Sequence, residues 1–228
     1  MTETALCRDR LAKYCQGNGL DLGAGGDPIV NSAIIVELST PYASVGDHPA
    51  NLAGNARYLY WFTDECLDYV YSSHMLEDFP PEQTLDVVLE WLRVLRIGGY
   101  LVLYLPDEQV YRAHCRKTGQ DYNTAHSNPD FSLKWFEEFV LPALPNVVLR
   151  HSAAHVEAYS FELVLKKTGS TSTTANITGA DATGAARERQ LIALIAERDA
   201  QLVSILNSIS WRGTAPLRWV KRIVTSFC

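Results

Sequence analysis

The chain has 228 residues, which is enough for one α/β domain and an appendage. Hydrophobic residues make up 47% of the chain, so a large core can form, and the net charge of −6 disfavours a general nucleic-acid-binding protein. The charge is uneven, because residues 1–167 carry a net charge of −9 and residues 168–228 a net charge of +3. We therefore expect no nucleic acid partner, and no partner shared by the two parts.

Five cysteines are scattered along the chain, and none forms a Cys-x-x-Cys pair. This pattern favours reduced thiols in a cytoplasm over a disulfide framework or a zinc site, and we assign no metal ligands. Residues 1–14 are charged and lack the apolar core of a signal peptide. No run approaches the ~18 apolar residues of a spanning helix, so a soluble, cytoplasmic protein is expected.

Strand-like and helical patterns alternate along residues 1–167, the predicted domain. The predicted strands are, in chain order, 20–22, 33–38, a weaker run at 58–60, 67–71, 100–105, 147–149 and 156–165. The helical patterns are 84–95, ended by Gly98 and Gly99, and 132–141, capped by Ser132 and stopped by Pro142. The alternation predicts an α/β fold with a mostly parallel sheet. The last two strands have no helix between them, which predicts an antiparallel hairpin at one edge.

Residues 20–26 read Leu-Asp-Leu-Gly-Ala-Gly-Gly, at the point where the first predicted strand ends. Glycines in such a turn let the backbone approach a ligand closely. The third glycine of a dinucleotide-binding fingerprint would fall at Pro28, which disfavours NAD. Glu37 ends the second predicted strand, where a carboxylate can accept hydrogen bonds from both hydroxyls of a ribose.

Five segments resemble, in order and spacing, the motifs of class I S-adenosylmethionine-dependent methyltransferases of the methyltransferase type 11 kind. They are DLGAG at 21–25, VEL at 36–38, GNAR at 54–57, LDYVYSSHMLED at 67–78 and EWLRVLRIGGY at 90–100. The resemblance implies a Rossmann-like methyltransferase sheet with S-adenosylmethionine as cofactor. The span from Gly25 to Leu38 is short for the family, so we expect the first crossover helix to be reduced to a turn around 28–31.

The resemblance also implies which residues hold the cofactor. The glycine turn lines the methionine part of the cofactor. Asp21 orients this turn and the amine of the methionine part, and Glu37, after the second strand, holds the ribose. An Asn-Ala pair faces the adenine edge, with asparagine where the family often has aspartate, and two serines end the fourth strand beneath the cofactor. The nine positions are Asp21, Gly23, Ala24, Gly25, Glu37, Asn55, Ala56, Ser72 and Ser73.

His74 follows the fourth strand and is the first candidate for a general base, because an unperturbed histidine titrates near ~6.5. A histidine that hydrogen-bonds the next loop is an equally good interpretation. A second group, Asp107, His114 and His126, follows the fifth strand. Asp107 and His114 would share one face of a helix and could bind a substrate or a divalent metal, or simply form a solvated face.

Residues 168–184 are rich in Thr, Ser, Gly and Ala and predict a flexible linker. Residues 185–228 predict a helical tail with a short heptad seam, at Leu191, Ile195, Arg198, Leu202, Ile205 and Ile209. This seam favours a homodimer through a short coiled coil, or else packs on the domain. The tryptophan-containing end carries Arg212, Arg218, Lys221 and Arg222, which suits an anionic membrane surface.

Residues 208–218 resemble a tail segment of bacterial glycosyltransferases and methyltransferases of surface-polysaccharide assembly. We therefore expect O-methylation of a sugar in a surface glycan or its lipid-linked precursor, at the inner face of the cytoplasmic membrane or in a glycan-assembly complex. Two alternatives remain: a methyltransferase for a small molecule or lipid head group, and a non-catalytic scaffold that keeps the fold.

Overall fold

A computed structural model describes residues 2–38 and 48–171 of the chain, and within them seven strands form a single sheet. The predicted tail, its heptad seam and most of the linker lie outside these described residues. The strands are β1 (Gly19–Leu22), β2 (Ile34–Glu37), β3 (Leu52–Ala53), β4 (Leu67–Ser73), β5 (Leu95–Pro106), β6 (Val147–Val156) and β7 (Ser160–Lys167). Their spatial order is β3-β2-β1-β4-β5-β7-β6.

The strands β1 to β5 run parallel, and β7 and β6 complete the sheet as an antiparallel hairpin beside β5. This topology confirms the predicted α/β class, the mostly parallel sheet and the edge hairpin. The connection between β1 and β2 contains turns instead of a helix, with Asp27 N–H donating to the Ala24 carbonyl. The predicted reduction of the first crossover to a turn is therefore also confirmed.

Four α-helical segments accompany the sheet in the described residues: α1 (Glu3–Leu11), α2 (Pro81–Val94), α3 (Glu108–Thr118) and α4 (Leu133–Trp135). Short 3-10 turns lie at Ala12–Tyr14 and Leu76–Asp78, before the chain continues to α4. The segment α4 is extended by one π-helical turn, Phe136–Val140, and one 3-10 turn, Leu141–Ala143. The Ser132 hydroxyl accepts from Trp135 N–H at 3.2 Å and confirms the predicted cap. The helix that would join Asp107 to His114 is present as α3.

Helices cover both faces of the sheet with apolar side chains. On one face, α2 buries Val88, Trp91 and Leu92 against the strands. On the other, α1 buries Cys7 and Leu11 against tyrosines of β4 and β5. Each face thus has its own core, which is why the central parallel strands are apolar along nearly their whole length.

The prediction of a strand at 58–60 is wrong. The third strand is β3, at Leu52–Ala53, and Tyr58 N–H donates to the Asn55 carbonyl in a turn. Leu59 is buried all the same, and its N–H donates to the Glu90 carboxylate of α2. Leu59 therefore packs in the core that contains α2, without joining the sheet.

The two glycines at 98–99 do not end the helix as predicted, because α2 ends at Val94 and β5 begins at Leu95. They lie in an irregular start of β5, where the pairing with β4 shifts register between Leu67 and Tyr69. Gly98 has a φ of +91°, and a Cβ at Gly99 would lie 2.8 Å from the Asp68 carbonyl oxygen. A bulge with close strand approach is the physical reason for the pair.

Among the described residues, four cysteines are free thiols, namely Cys7, Cys15, Cys66 and Cys115. No group of three or more histidine, cysteine, aspartate or glutamate side chains in this part of the chain is arranged to hold a metal ion. No helix in residues 2–38 and 48–171 has the length and apolar character needed to cross a bilayer.

Candidate cofactor-binding site

A cleft of about 370 Å³ opens at the carboxyl ends of β1, β2 and β4. In open parallel sheets this edge is where ligands bind. Six of the residues implied by the resemblance or chosen as candidate base line the cleft together: Gly23, Gly25, Glu37, Asn55, Ala56 and His74.

The glycine turn after β1 forms one wall of the cleft. Gly23 has a φ of +78°, its N–H donates to the Val36 carbonyl, and a Cβ at this position would lie 2.9 Å from Met75 Sδ. Gly25 has a φ of +56° and faces open space, so its backbone is bare toward a ligand. The positive φ at both positions favours glycine over residues with a side chain. At Gly23 the close approach of Met75 also leaves no space for a Cβ.

Glu37 joins the turn to the end of β2. Its Oε1 accepts the Gly25 N–H at 2.7 Å, and the side chain lines the cleft although only 8% of the residue is exposed. Burial raises the pKa of this carboxyl, while hydrogen bonds from Gly25 and Leu38 N–H oppose the shift. The carboxylate therefore lies where a nucleoside ribose would be held against the glycine turn.

Asp21 lies beneath the turn and does not line the cleft. It is fully buried, its Oδ2 accepts Ile29 N–H at 2.7 Å, and Oδ1 has no hydrogen-bond partner within the described part of the chain. Burial raises the pKa of Asp21 to about 8. The side chain ties β1 to the far end of the turn, which agrees with the implied role of orienting that loop.

Asn55 and Ala56 line the end of the cleft beyond β2. The Asn55 Oδ1 accepts Arg57 N–H at 2.9 Å, and the Ala56 carbonyl accepts from the Trp91 indole at 2.8 Å. The indole anchors this segment to α2. The amide oxygen that we expect to face adenine is thus already engaged with the backbone and has one lone pair left for a ligand.

The other implied residues support the cleft from behind. Ala24 is buried in the turn, and the Ser72 hydroxyl donates to the Leu22 carbonyl at 3.2 Å. Ser73 is buried, and its hydroxyl has no partner among the residues described. The two serines end β4 as expected, and neither they nor Ala24 line the cleft.

Comparison with known proteins agrees with this geometry. Residues 20–103 match the family described as a methyltransferase domain. The seven-stranded sheet has the Rossmann-like fold of methyltransferases. No curated protein sequence matches the chain significantly.

Solved structures share the methyltransferase fold at low sequence identity. The PH0226 protein of Pyrococcus horikoshii matches with a TM-score of 0.55 and 18% identity, over 72% of this chain and 89% of that one. A SAM-dependent methyltransferase of Archaeoglobus fulgidus matches with a TM-score of 0.53 and 15% identity, over 72% and 94%. The family match and the fold imply S-adenosylmethionine as the cofactor of this domain and support a methyltransferase that depends on it.

The cleft fits S-adenosylmethionine on three observations. Its volume lies within the range of small-molecule sites. The bare backbone of Gly25 offers a cradle that a Cβ would fill, and the Glu37 carboxylate adjoins it. Asn55 and Ala56 close the far end, where the adenine of a nucleoside held by Glu37 would lie.

His74, at the cleft, has a φ of +47° and a ring that is largely buried. Its Nε2 lies 3.0 Å from Ser160 Oγ, and its Nδ1 lies 3.9 Å from a carboxylate oxygen of Glu77. Burial lowers the pKa of His74 to about 3, with a further lowering by His126. The ring is neutral at physiological pH, and both nitrogens face protein groups.

The second group of candidates lies outside the cleft. Asp107 caps α3, because its carboxylate accepts Val110 N–H at 3.2 Å. The His114 ring packs 5.1 Å from the Tyr159 ring, and His126 Nδ1 lies 2.7 Å from Glu108. The structure therefore does not bring these three residues to the cofactor cleft, and the catalytic or acceptor-binding roles of Asp107 and His114 stay predictions.

Two polar residues that we did not single out from the sequence line the cleft beside His74: Asp78 and Asn123. The Asp78 Oδ1 is buried and has no hydrogen-bond partner in the described ranges, and burial raises the pKa of this carboxyl. Asp78 follows β4 closely, so its position was a usable signal. Asn123 arrives from the loop after α3, and no local pattern marks it.

We predict that Glu37→Gln weakens binding of S-adenosylhomocysteine by about tenfold or more, because a charged hydrogen-bond acceptor contributes ~1.5–3 kcal/mol. Isothermal titration calorimetry on the full chain measures this change. Glu82→Gln, at an exposed acid in the first turn of α2, is the matched control and should bind like the wild type. Equal affinity of the Glu37 variant and this control would contradict the ribose assignment.

We also predict a pH dependence of stability from Asp21, whose pKa near 8 in the folded state lies far above the ordinary value of 3.8. Its protonated form is favoured by folding, so the contribution is fully present below pH 3.8 and is lost as the pH rises through 8. Asp21→Asn should flatten the fall in unfolding free energy between about pH 5 and pH 8, by up to about 1.4 kcal/mol per pH unit.

Urea denaturation at these two pH values measures the effect. The asparagine side chain keeps an oxygen that can accept the Ile29 N–H, so the contact beneath the turn is preserved. The control is Asp86→Asn on the exposed face of α2, which should leave the wild-type pH dependence in place. If the Asp21 variant loses stability with pH as steeply as the wild type, Asp21 is ionised in the fold and the account of its burial is wrong.

Proposed function

We propose that the domain transfers the methyl group of S-adenosylmethionine to a hydroxyl of a sugar, in a bacterial surface glycan or its lipid-linked precursor. The main support for methyl transfer is the cleft, where the Gly25 N–H of the glycine turn donates to Glu37 Oε1 at 2.7 Å. The sugar is supported by the resemblance of residues 208–218 to tails of surface-polysaccharide enzymes. Those residues lie outside the described part of the chain.

The cofactor supplies an activated methyl group on its sulfonium. The chain's own residues then have to bind, orient and shield the reacting groups, and orientation contributes ~7–11 kcal/mol. Glu37 and the Gly25 backbone hold one end of the cleft, while Met75 and Phe79 give it an apolar wall that excludes water. The acceptor enters on the side of His74, Asp78 and Asn123, opposite the nucleoside end.

Two neighbouring side chains are candidates to take the proton of the acceptor hydroxyl. His74 is the base expected from sequence, but it lies against Ser160 and its pKa of about 3 opposes proton uptake in this buried position. Asp78 offers an unpartnered carboxylate oxygen, and its raised pKa brings it closer to the neutral range that suits a general base. We assign Asp107 and His114, at the start and on the body of α3, to the acceptor side, outside the cofactor cleft.

The alternatives differ in what they require of this cleft. A methyltransferase for a small molecule or lipid head group would use the same cofactor residues with another acceptor. A non-catalytic scaffold has no need for a carboxylate that faces a cofactor cleft, so the position of Glu37 on the cleft favours an enzyme. We retain the sugar acceptor as the proposal.

We predict that the full chain transfers labelled methyl from S-adenosylmethionine to glycan extracted from cells that lack this protein. Glu37→Gln should reduce the incorporation in line with its loss of cofactor binding, and Glu82→Gln should not. Liquid chromatography with mass spectrometry of the hydrolysed glycan then locates the label. Label in phospholipid head groups or small metabolites, with none in glycan or in lipid-linked sugar, would favour the alternative acceptors, and no transfer at all would favour the scaffold.

We further propose that residues 185–228 tether the enzyme to an anionic membrane surface, as a homodimer that brings two basic ends together. Each basic residue near such a surface contributes about 1 kcal/mol, so four on one chain give a weak attachment that pairing strengthens. Deleting residues 185–228 should reduce cosedimentation with anionic liposomes and spare transfer to a soluble acceptor. Equal cosedimentation of the deleted and full chains would contradict the tether.

A further inference from the structure

A second cavity, which we name the arginine cavity, lies on the outer face of α3. It measures about 270 Å³ and is lined by Arg112, Cys115, Arg116, Gln120 and Tyr122. Arg112 and Arg116 are one helical turn apart, so both guanidinium groups lie on the same side of α3. None of these five lining residues is an acid.

Arg112 is held in place by groups around it. Its Nε donates to the fully buried Glu108 at 2.7 Å, and its Nη2 donates to the Tyr122 hydroxyl at 2.9 Å. The Tyr122 hydroxyl in turn donates to Glu108. These bonds fix the orientation of the guanidinium and leave its Nη1 without a partner in the described residues.

Arg116 has neither a carboxylate nor a hydrogen-bond partner among residues 2–38 and 48–171. Glu108 compensates the charge of Arg112, so Arg116 gives the cavity an excess positive charge. This charge stands out because residues 1–167 have a net charge of −9. A cation that the surrounding protein does not neutralise attracts an anionic ligand.

One loop contributes to both the arginine cavity and the acceptor side of the cofactor cleft. Tyr122 lines the cavity and the next residue, Asn123, lines the cleft. The Asn123 N–H donates to the Tyr111 hydroxyl at 3.2 Å, which fastens this part of the loop to α3. We infer from this shared loop that a ligand beside Asp78 and Asn123 can extend toward the arginines.

We propose that the arginine cavity binds a phosphate group of the methyl acceptor, so that the acceptor is a phosphate- or diphosphate-linked sugar. This proposal rests on the proposed function and narrows its substrate class. Guanidinium groups bind phosphate oxygens through paired, charge-assisted hydrogen bonds, and a second guanidinium one turn away can take the adjacent phosphate. A nucleotide and a lipid carrier present the same phosphate chemistry, and the experiment below distinguishes these two sources.

The test is calorimetric titration of the full chain, saturated with S-adenosylhomocysteine, with inorganic pyrophosphate at low salt. Arg116→Gln should weaken binding of pyrophosphate by about tenfold, because a charge-assisted contact is lost. The matched control is Lys117→Gln, which removes the same charge from the next residue of α3 but does not line the cavity. It should change the affinity by less than about twofold. Thermal melting checks that both variants remain folded.

Equal weakening by the two variants would overturn the proposal, because it would mean diffuse attraction by a basic helix end. The absence of saturable pyrophosphate binding to the wild type would overturn it as well. Competition then separates the sources: displacement of pyrophosphate by uridine diphosphate indicates a nucleotide-linked acceptor, and displacement by micelles of a polyprenyl diphosphate indicates a lipid-linked one.

The outcome is independent of methyl transfer to extracted glycan. Pyrophosphate binding that depends on Arg116, together with no transfer to glycan or to phosphate-linked sugars, would overturn the sugar acceptor and leave the phosphate subsite. The opposite result is transfer to glycan with an affinity for pyrophosphate that Arg116→Gln does not change. It would overturn the phosphate subsite and leave the proposed function.

Discussion

The cofactor cleft depends on two acidic side chains, Asp21 and Glu37, that hold a turn in which no helix forms. In this protein the connection from β1 to β2 has only turns to span it, so the regular hydrogen bonds of a crossover helix are missing. Asp21 accepts Ile29 N–H from below the turn, and Glu37 accepts Gly25 N–H from its ligand side. These contacts replace part of what the helix would have supplied, and they fix the backbone against which the nucleoside is expected to lie.

Burial of these acids has a cost, since desolvation raises the pKa of both Asp21 and Glu37. The same environment serves binding, because a partly desolvated carboxylate such as Glu37 forms stronger hydrogen bonds to ribose hydroxyls than one in water does. Desolvation of the two acids therefore lowers the folding stability of the turn, and the same burial preorganises the cleft for its ligand. A comparable concentration of buried polar groups occurs on the acceptor side, where Glu77 and Glu108 lie within 3.6 Å and 2.7 Å of His126.

Much of the fold could be predicted from local patterns. The central strands are largely apolar runs and the glycine turn is a compact motif. The sequence therefore predicts the strands β1, β2 and β4 and the edge of the sheet that they share. The failures have physical causes. The segment at 58–60 is apolar because Leu59 packs over α2, and the pair at 98–99 marks a bulge in β5. In α1 a largely polar helix buries only Thr4, Cys7 and Leu11, a stripe that composition alone conceals.

The cofactor half of the site was likewise predictable, because Gly25 and Glu37 lie at strand ends close to one another in the sheet. The acceptor half was not, since it is assembled over long sequence separations. Asn123 reaches the cleft from a loop whose backbone donates to the Tyr111 hydroxyl, and the partners of His74 include Ser160, 86 residues away. Such contacts carry no periodicity or spacing that a single sequence displays.

The most direct test of this account is a crystal structure of the full chain with S-adenosylhomocysteine. Both ribose hydroxyls should lie within hydrogen-bond distance of the Glu37 carboxylate, with adenine beside Asn55 and Ala56. Asp21 should keep its contact with Ile29 N–H beneath the ligand. A nucleoside bound elsewhere, or a ribose that does not contact Glu37, would contradict the account.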